Sequence, residues 1–182
     1  IFDKYYSEDC PTEHALLTGK KRAVWVFHHP YIRTVFTDKL LTYQTLAEYA
    51  IPTVEVAYPV TDASVATARR ALQQITASHP YAQDYNADVV LKERGGSGGN
   101  NVFHIRGDQY HVALSPEAAQ YHYVLQPYID TSGFRFGKYT GKIDLRLVVA
   151  NGTILQSYIR IAREGEFRAN AQQGGTVVYL SQ

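Results

Sequence analysis

Residues 89–105 read VVLKERGGSGGNNVFHI: an apolar strand runs into Lys92, a glycine-rich turn follows, and NVFHI leads back out. A hairpin of this kind collects one ammonium and several bare backbone N–H groups at one spot, which is what binding a polyphosphate requires. Gly95, Gly96, Gly98 and Gly99 have no Cβ, so the backbone can take positive φ and lie close to a ligand, while Ser97 adds a hydroxyl. The lysine precedes the glycines and a strand follows them, which excludes a P-loop, where the lysine comes after the glycines and opens a helix. Taken alone, the same Gly/Ser run also suits a flexible linker.

Upstream, RAVWVFH (22–28) reads as a buried strand, with HHPYIRTVFT as its exit. DKLLTYQTLAEYA (38–50) carries Leu40, Leu41, Tyr43, Leu46 and Tyr49 near helical spacing and is expected to stop at Ile51-Pro52. TVEVAYPV (53–60) reads as a strand, and Thr61 or Asp62 caps a helix whose Val65, Ala68, Leu72 and Ile75 share one side. Downstream come a turn at Arg106-Gly107-Asp108, a helical piece around SPEAAQY, the strand YVLQPYI (123–129) and an elongated hairpin at FGKYTGK. IDLRLVVA and TILQSYIRIA flank Asn151-Gly152, the strongest hairpin signal in the chain, since Asn-Gly supplies the positive φ angles of a type I′ turn. Those two strands are expected to show one packed side and one ligand-facing side. The pattern as a whole is α+β.

The chain has 182 residues, 45% hydrophobic and 19% charged, enough for a packed core in one large or two small lobes. A net charge of +1 provides no long-range field for steering onto nucleic acid or a membrane surface, so neither is expected as a partner. The 15 tyrosines therefore do not read as base-stacking platforms. Cys10 has no internal disulfide partner and no zinc-type ligand spacing occurs, which favours a reducing, cytoplasmic compartment. No run approaches the roughly 18 apolar residues of a membrane span, and IFDKYYSEDC carries no signal-peptide pattern. A start at Ile1 and the absence of methionine point to a sequence with missing ends. His28 and His29 are adjacent, so on a strand they point to opposite faces and read as structural. Lys20-Lys21-Arg22 and Arg69-Arg70 read as solvated faces.

Lys92, Arg160, Arg168 and Asn170 form the candidate constellation, since guanidinium groups match anionic oxygens in bidentate fashion and an amide can share a phosphate oxygen. On these residues the sequence resembles the ATP-grasp superfamily, in its RimK-type branch of carboxylate–amine ligases, which includes ribosomal-protein glutamate ligase and is similar to glutathione synthetase. TDKLLTYQTLAEYAIPTVEV resembles that branch's leading helix, VVLKERGGSGGNNVF its phosphate-covering hairpin and VLQPYI its adenine hinge. IDLRLVV with YIRIAREGEFRANAQQGG resembles the strands of its nucleotide floor, where Asp144, Arg160, Arg168, Asn170 and Gly174-Gly175 hold the family's spacing.

The resemblance implies an ATP-grasp fold, two α+β lobes clasping ATP between antiparallel sheets. Residues 1–60 would be a remnant of a preceding α/β domain plus the leading helix, 61–125 the small lobe and 126–182 a partial large lobe. It implies that Lys92 contacts the α- and β-phosphates beneath the glycine loop, with Lys39 a second phosphate-directed lysine. Gln126, Pro127, Tyr128 and Ile129 would border the base, the Pro127 carbonyl accepting from the exocyclic amine and the Ile129 N–H donating to a ring nitrogen. Asp144 would lie near the ribose or phosphate edge, and Arg160, Arg168 and Asn170 would serve the γ-phosphate and an acyl phosphate. The implied reaction is ATP-dependent ligation of a small-molecule or peptide carboxylate to an amine, in a possible homo-oligomer. Mg²⁺ is implied with ATP, its ligands expected on strands beyond GGTVVYL, so the large lobe reads as C-terminally truncated. A nucleotide-binding module without catalysis and an unrelated α+β protein with a glycine linker are the competing readings.

Overall fold

The computed structural model describes residues 30–80, 82, 85, 87–107 and 109–180; the expected strand at 22–28, the His28-His29 pair, Cys10 and the basic run at 20–22 lie outside them. Residues expected to form an exit loop are helical instead: α1 spans Pro30–Thr37, with proline at the first helical position, where its missing N–H costs nothing. Asp38 then caps α2, Lys39–Thr45, by accepting from the Leu40 and Leu41 amides. α2 stops well short of Ile51-Pro52, with Leu46 N–H shared between the carbonyls of Thr42 and Tyr43. The residues that would have continued it, Leu46 and Tyr49, are exposed. Helix stability comes mainly from packing an apolar face, and among the described residues that face stays largely uncovered.

The small lobe is a sheet of order β1-β4-β2-β3, antiparallel throughout, made of β1 (Val54–Val56), β4 (Tyr123–Pro127), β2 (Val89–Glu93) and β3 (Val102–Ile105). β1 is shorter than the expected TVEVAYPV strand because its partner begins at Tyr123, opposite Val56, leaving Ala57 onward nothing to pair with. One face of this sheet carries α3, Asp62–Ala77. Thr61, not Asp62, is its N-cap, in a reciprocal box with Ser64. Val65, Ala68 and Leu72 of α3 pack with Val56, Val89, Leu91, Ile105, Tyr123 and Leu125 in the core. Arg69, expected on a solvated face, is 3% exposed, its guanidinium donating to the carbonyls of Gln109 and Ala87. A charge on the buried side of a helix is tolerated because backbone oxygens receive it. The sheet draws β1 from before residue 60 and carries Gln126 and Pro127 on β4, so it runs across both boundaries drawn from the sequence.

Beyond β4, β5 (Arg135–Phe136) and β6 (Tyr139–Thr140) form a two-residue ladder rather than an elongated hairpin. The second lobe is the sheet β7 (Ile143–Ala150), β8 (Thr153–Ile161) and β9 (Thr176–Tyr179). Asn151 and Gly152, with φ of 48° and 74°, make the turn between its long strands. Ile143 and Ile159 are buried, whereas Leu145, Leu147, Val148, Val149, Ile154 and Leu155 are all exposed, so among the described residues the expected packed side is confined to the end near the small lobe.

Candidate functional site

Strand alternation decides which residues meet. In β2 and β4, Val89, Leu91, Tyr123 and Leu125 face α3, so Val90, Lys92, Val124 and Gln126 project from the opposite face. That face and the β7–β8 sheet enclose a cleft of about 400 Å³, within the range of small-molecule sites. Lys92 lines it and donates to Gln126 Oε1 at 2.8 Å, and Gln126 is itself fixed by donating from Nε2 to Thr53 Oγ1 at 2.8 Å. Burial, with the charge of Lys39 adding to it, pushes the Lys92 ammonium down to about 8.

The glycine loop arches over the cleft. Gly98 and Gly99 have φ of 67° and 80°, the left-handed region that suits glycine. A Cβ at Gly98 would lie 1.7 Å from Gln172 Oε1, so the loop rests directly on the second lobe. Polar contacts join the same surfaces: Arg168 Nη1 donates to the Gly99 carbonyl at 2.8 Å, and Gln173 Nε2 to the Gly98 carbonyl at 3.3 Å and Asn100 Oδ1 at 3.1 Å. At the loop's other end, the Lys39 ammonium donates to the carbonyls of Glu93, Arg94 and Gly96.

On the far wall Asp144 and Arg160 are register partners on β7 and β8 and form a bidentate pair, with Arg146 Nε 3.4 Å from the same carboxylate. Burial would raise the Asp144 carboxyl, but Arg160 and then Arg146 hold it below its ordinary value. Glu166 grips Arg168 through Nε and Nη2 and also accepts from the Phe167 and Arg168 amides. The Arg168 guanidinium, followed by those amides, outweighs burial and holds the Glu166 carboxyl at about 2. Just beyond β4, Tyr128 donates its amide to the Asp88 carbonyl and stacks on His104 at 4.1 Å, with Phe167 closing the group from the second lobe.

Lys39, Lys92, Gly96, Ser97, Gly98, Pro127, Tyr128 and Ile129 from the small-lobe side therefore share one cleft with Asp144, Arg160, Arg168 and Asn170 from the other. Gly95 lies outside the lining, and Gln126 faces a neighbouring groove while touching Lys92. Arg146 and Phe167, not among the residues expected from the sequence, also line the cleft. Arg146 was within reach: two residues after Asp144 on one strand, it must share that residue's face. Phe167 had no such signal, since it sits in an irregular segment. Lys39, Lys92, Arg146, Arg160 and Arg168 outnumber the lining carboxylates Glu93 and Asp144, and low-dielectric walls strengthen the field they create. The cleft suits a polyanion.

A family model for the RimK-like ATP-grasp domain matches residues 36–181. The chain belongs to the RimK-like ATP-grasp family. ATP-grasp domains bind ATP, and the general function is that of an ATP-dependent ligase. Among curated proteins no relative matches. The two α+β lobes of this ATP-grasp domain, with antiparallel sheets facing across the cleft, are its fold. Among the described residues no helix is long and apolar enough to cross a membrane.

Proposed function

We propose that this chain binds ATP in the cleft between its lobes and serves a carboxylate–amine ligase that proceeds through an acyl phosphate. The observation that carries the reading is the convergence of Lys92, Arg168 and Asn170, from opposite lobes, on one cleft roofed by the glycine loop. Lys92 neutralises the α- and β-phosphates while Gln126 fixes its direction. The base lies at the hinge. Tyr128 has its amide on Asp88, so ladder alternation turns the Pro127 carbonyl and Ile129 N–H to the other edge of β4, past the last β1 pair at Val54–Leu125. There they can accept from an exocyclic amine and donate to a ring nitrogen.

A substrate carboxylate oxygen then attacks the γ-phosphorus, the bond to ADP breaks, and an amine displaces phosphate from the resulting acyl phosphate. Arg160, Arg146, Arg168 and Asn170 stabilise charge that builds on the transferring group, and in such reactions positioning and electrostatics supply most of the rate. Mg²⁺ accompanies ATP in this family, but the described residues do not fit it. No group of three metal-ligating side chains converges among them, Asp144 and Glu166 are committed to arginines, and Glu93 accepts from Asn101. The competing reading is nucleotide binding without turnover. ADP release in the presence of amino acids would decide for the ligase.

Lys92→Ala tests the shared part of both readings. A charged hydrogen bond to phosphate is worth enough that ATP affinity should fall roughly tenfold to a hundredfold by calorimetry. Unchanged affinity in a folded variant would remove ATP from this cleft.

A further inference from the structure

Ile51 and Ile129 line the cleft and also line a second cavity of about 430 Å³, whose other walls include Tyr49, Ala50, His79 and Tyr85. The strand register explains why the two adjoin. β1 is antiparallel to β4 and its ladder stops at Val54 opposite Leu125, so residues 51–53 pass residues 126–128 without strand pairing. Side chains take over there: the Thr53 hydroxyl donates to the Ile51 carbonyl at 2.8 Å, and Gln126 Nε2 donates to Thr53 Oγ1 at 2.8 Å. Beyond Leu125 the outer edge of β4 is therefore open, bordered by Ile51 and Ile129, with the side cavity behind them.

The walls of this cavity suit an apolar group. Tyr49, Ile51 and Ile129 are all exposed, so a ligand group laid against them removes apolar surface from water. His79 and Tyr85 engage each other, Tyr85 Oη lying 3.1 Å from His79 Nδ1 with the rings 5.5 Å apart, and so offer ring surface. The one carboxylate of the lining, Asp130, accepts from the Ser132 amide at 2.9 Å and disfavours an anionic group. The exocyclic amine of adenine has two hydrogens. In the ATP reading above, the Pro127 carbonyl takes one of them, at the edge that Ile51 and Ile129 border; the other can be replaced without losing that bond. We propose that the side cavity is a subsite for an apolar substituent on the exocyclic amine, so that the chain accepts N⁶-alkylated adenine nucleotides, an aralkyl group such as benzyl lying past Ile51 and Ile129. The assignment rests on the ATP reading.

Calorimetric titration of the full chain with ATP, N⁶-benzyl-ATP and N⁶,N⁶-dimethyl-ATP tests the subsite. N⁶-benzyl-ATP should bind at least as tightly as ATP, and up to about tenfold tighter through the apolar area it buries. The dimethyl analogue is smaller but keeps no hydrogen for the Pro127 carbonyl, and should bind about tenfold weaker than ATP. Ala50 lines the side cavity and not the nucleotide cleft. Ala50→Trp should therefore fill the cavity and weaken N⁶-benzyl-ATP by about tenfold or more, while ATP keeps its wild-type affinity, which also shows that the variant is folded. The wild-type comparison needs no variant: ATP bound normally beside N⁶-benzyl-ATP weakened tenfold or more would overturn the subsite and leave the ATP reading standing. A benzyl analogue that binds equally well to a folded Ala50→Trp chain would place the substituent elsewhere and overturn it too. Failure of ATP itself to bind would sink the nucleotide reading, and the subsite with it.

Discussion

Lys92 is subject to two opposed influences. Burial pushes its ammonium down to about 8, whereas a phosphate beside it favours the charged form. From pH 8 up to the ordinary lysine value of 10.5, the unfolded chain holds a proton that the folded chain has released, so stability from this group rises with pH across that window. Under the proposed role of Lys92, a bound nucleotide reverses the preference. ATP binding at pH 8 should take up about half a proton, measured by calorimetry in buffers of different ionisation enthalpy, and the uptake should vanish in Lys92→Met. Uptake that persists in the variant would assign the proton elsewhere. Glu166 shows the opposite sign. Held at about 2 by Arg168 against an ordinary 4.5, it contributes stability that is complete above 4.5 and fades as pH falls toward 2. Carbon NMR should find its carboxyl still ionised at pH 4; a midpoint at the ordinary value would mean that the Arg168 pair does not persist in solution.

The glycine loop is the element whose shape is most sharply constrained, and the constraint is uneven along it. Gly98 has positive φ and its added Cβ would strike Gln172, whereas at Gly95 nothing lies within 4 Å and the backbone is ordinary. Gly98→Ala should therefore strain the loop through its positive φ and displace the Gln172 amide, weakening ATP binding by about tenfold and costing about 1 kcal/mol of stability, while Gly95→Ala should change neither. Equal effects of the two substitutions would contradict the closed loop seen here. Both this hairpin and the one at Asn151-Gly152 were legible in the sequence because turn chemistry is local: glycine and asparagine state their φ preference without help from the fold. The early end of α2 was not legible, since it depends on whether Leu46 and Tyr49 have a surface to cover. Nor was the insertion of β4 between β1 and β2, a pairing across more than thirty residues that no local signal encodes. The burial of Arg69 was hidden for the same reason, because its acceptors come from Ala87 and Gln109.

At the scale of the molecule the two lobes are unequally built. The small lobe closes a core between α3 and its sheet, with Leu91, Tyr123 and Leu125 at 0% exposure, whereas the outer half of the β7–β8 hairpin leaves Leu147 50% and Leu155 58% exposed. Apolar burial dominates stability, so the second lobe should open at lower free energy than the first. What joins them is the cleft itself: Arg168 and Gln173 on the loop, and Phe167 against His104 and Tyr128. A ligand filling that cleft binds only while both lobes stand, and at a hundred times its Kd adds about 2.7 kcal/mol to the state it binds. Hydrogen exchange without nucleotide should show β2 and β4 as the slowest amides and the Leu147–Leu155 tip among the fastest. Saturating ATP should slow exchange at Asp144 and Arg160 on the cleft end of the second sheet by up to about a hundredfold, with little effect at the tip, because only the cleft end is coupled to the ligand. Uniform protection along β7 and β8, with or without ATP, would mean that the second lobe draws its stability from somewhere other than the cleft.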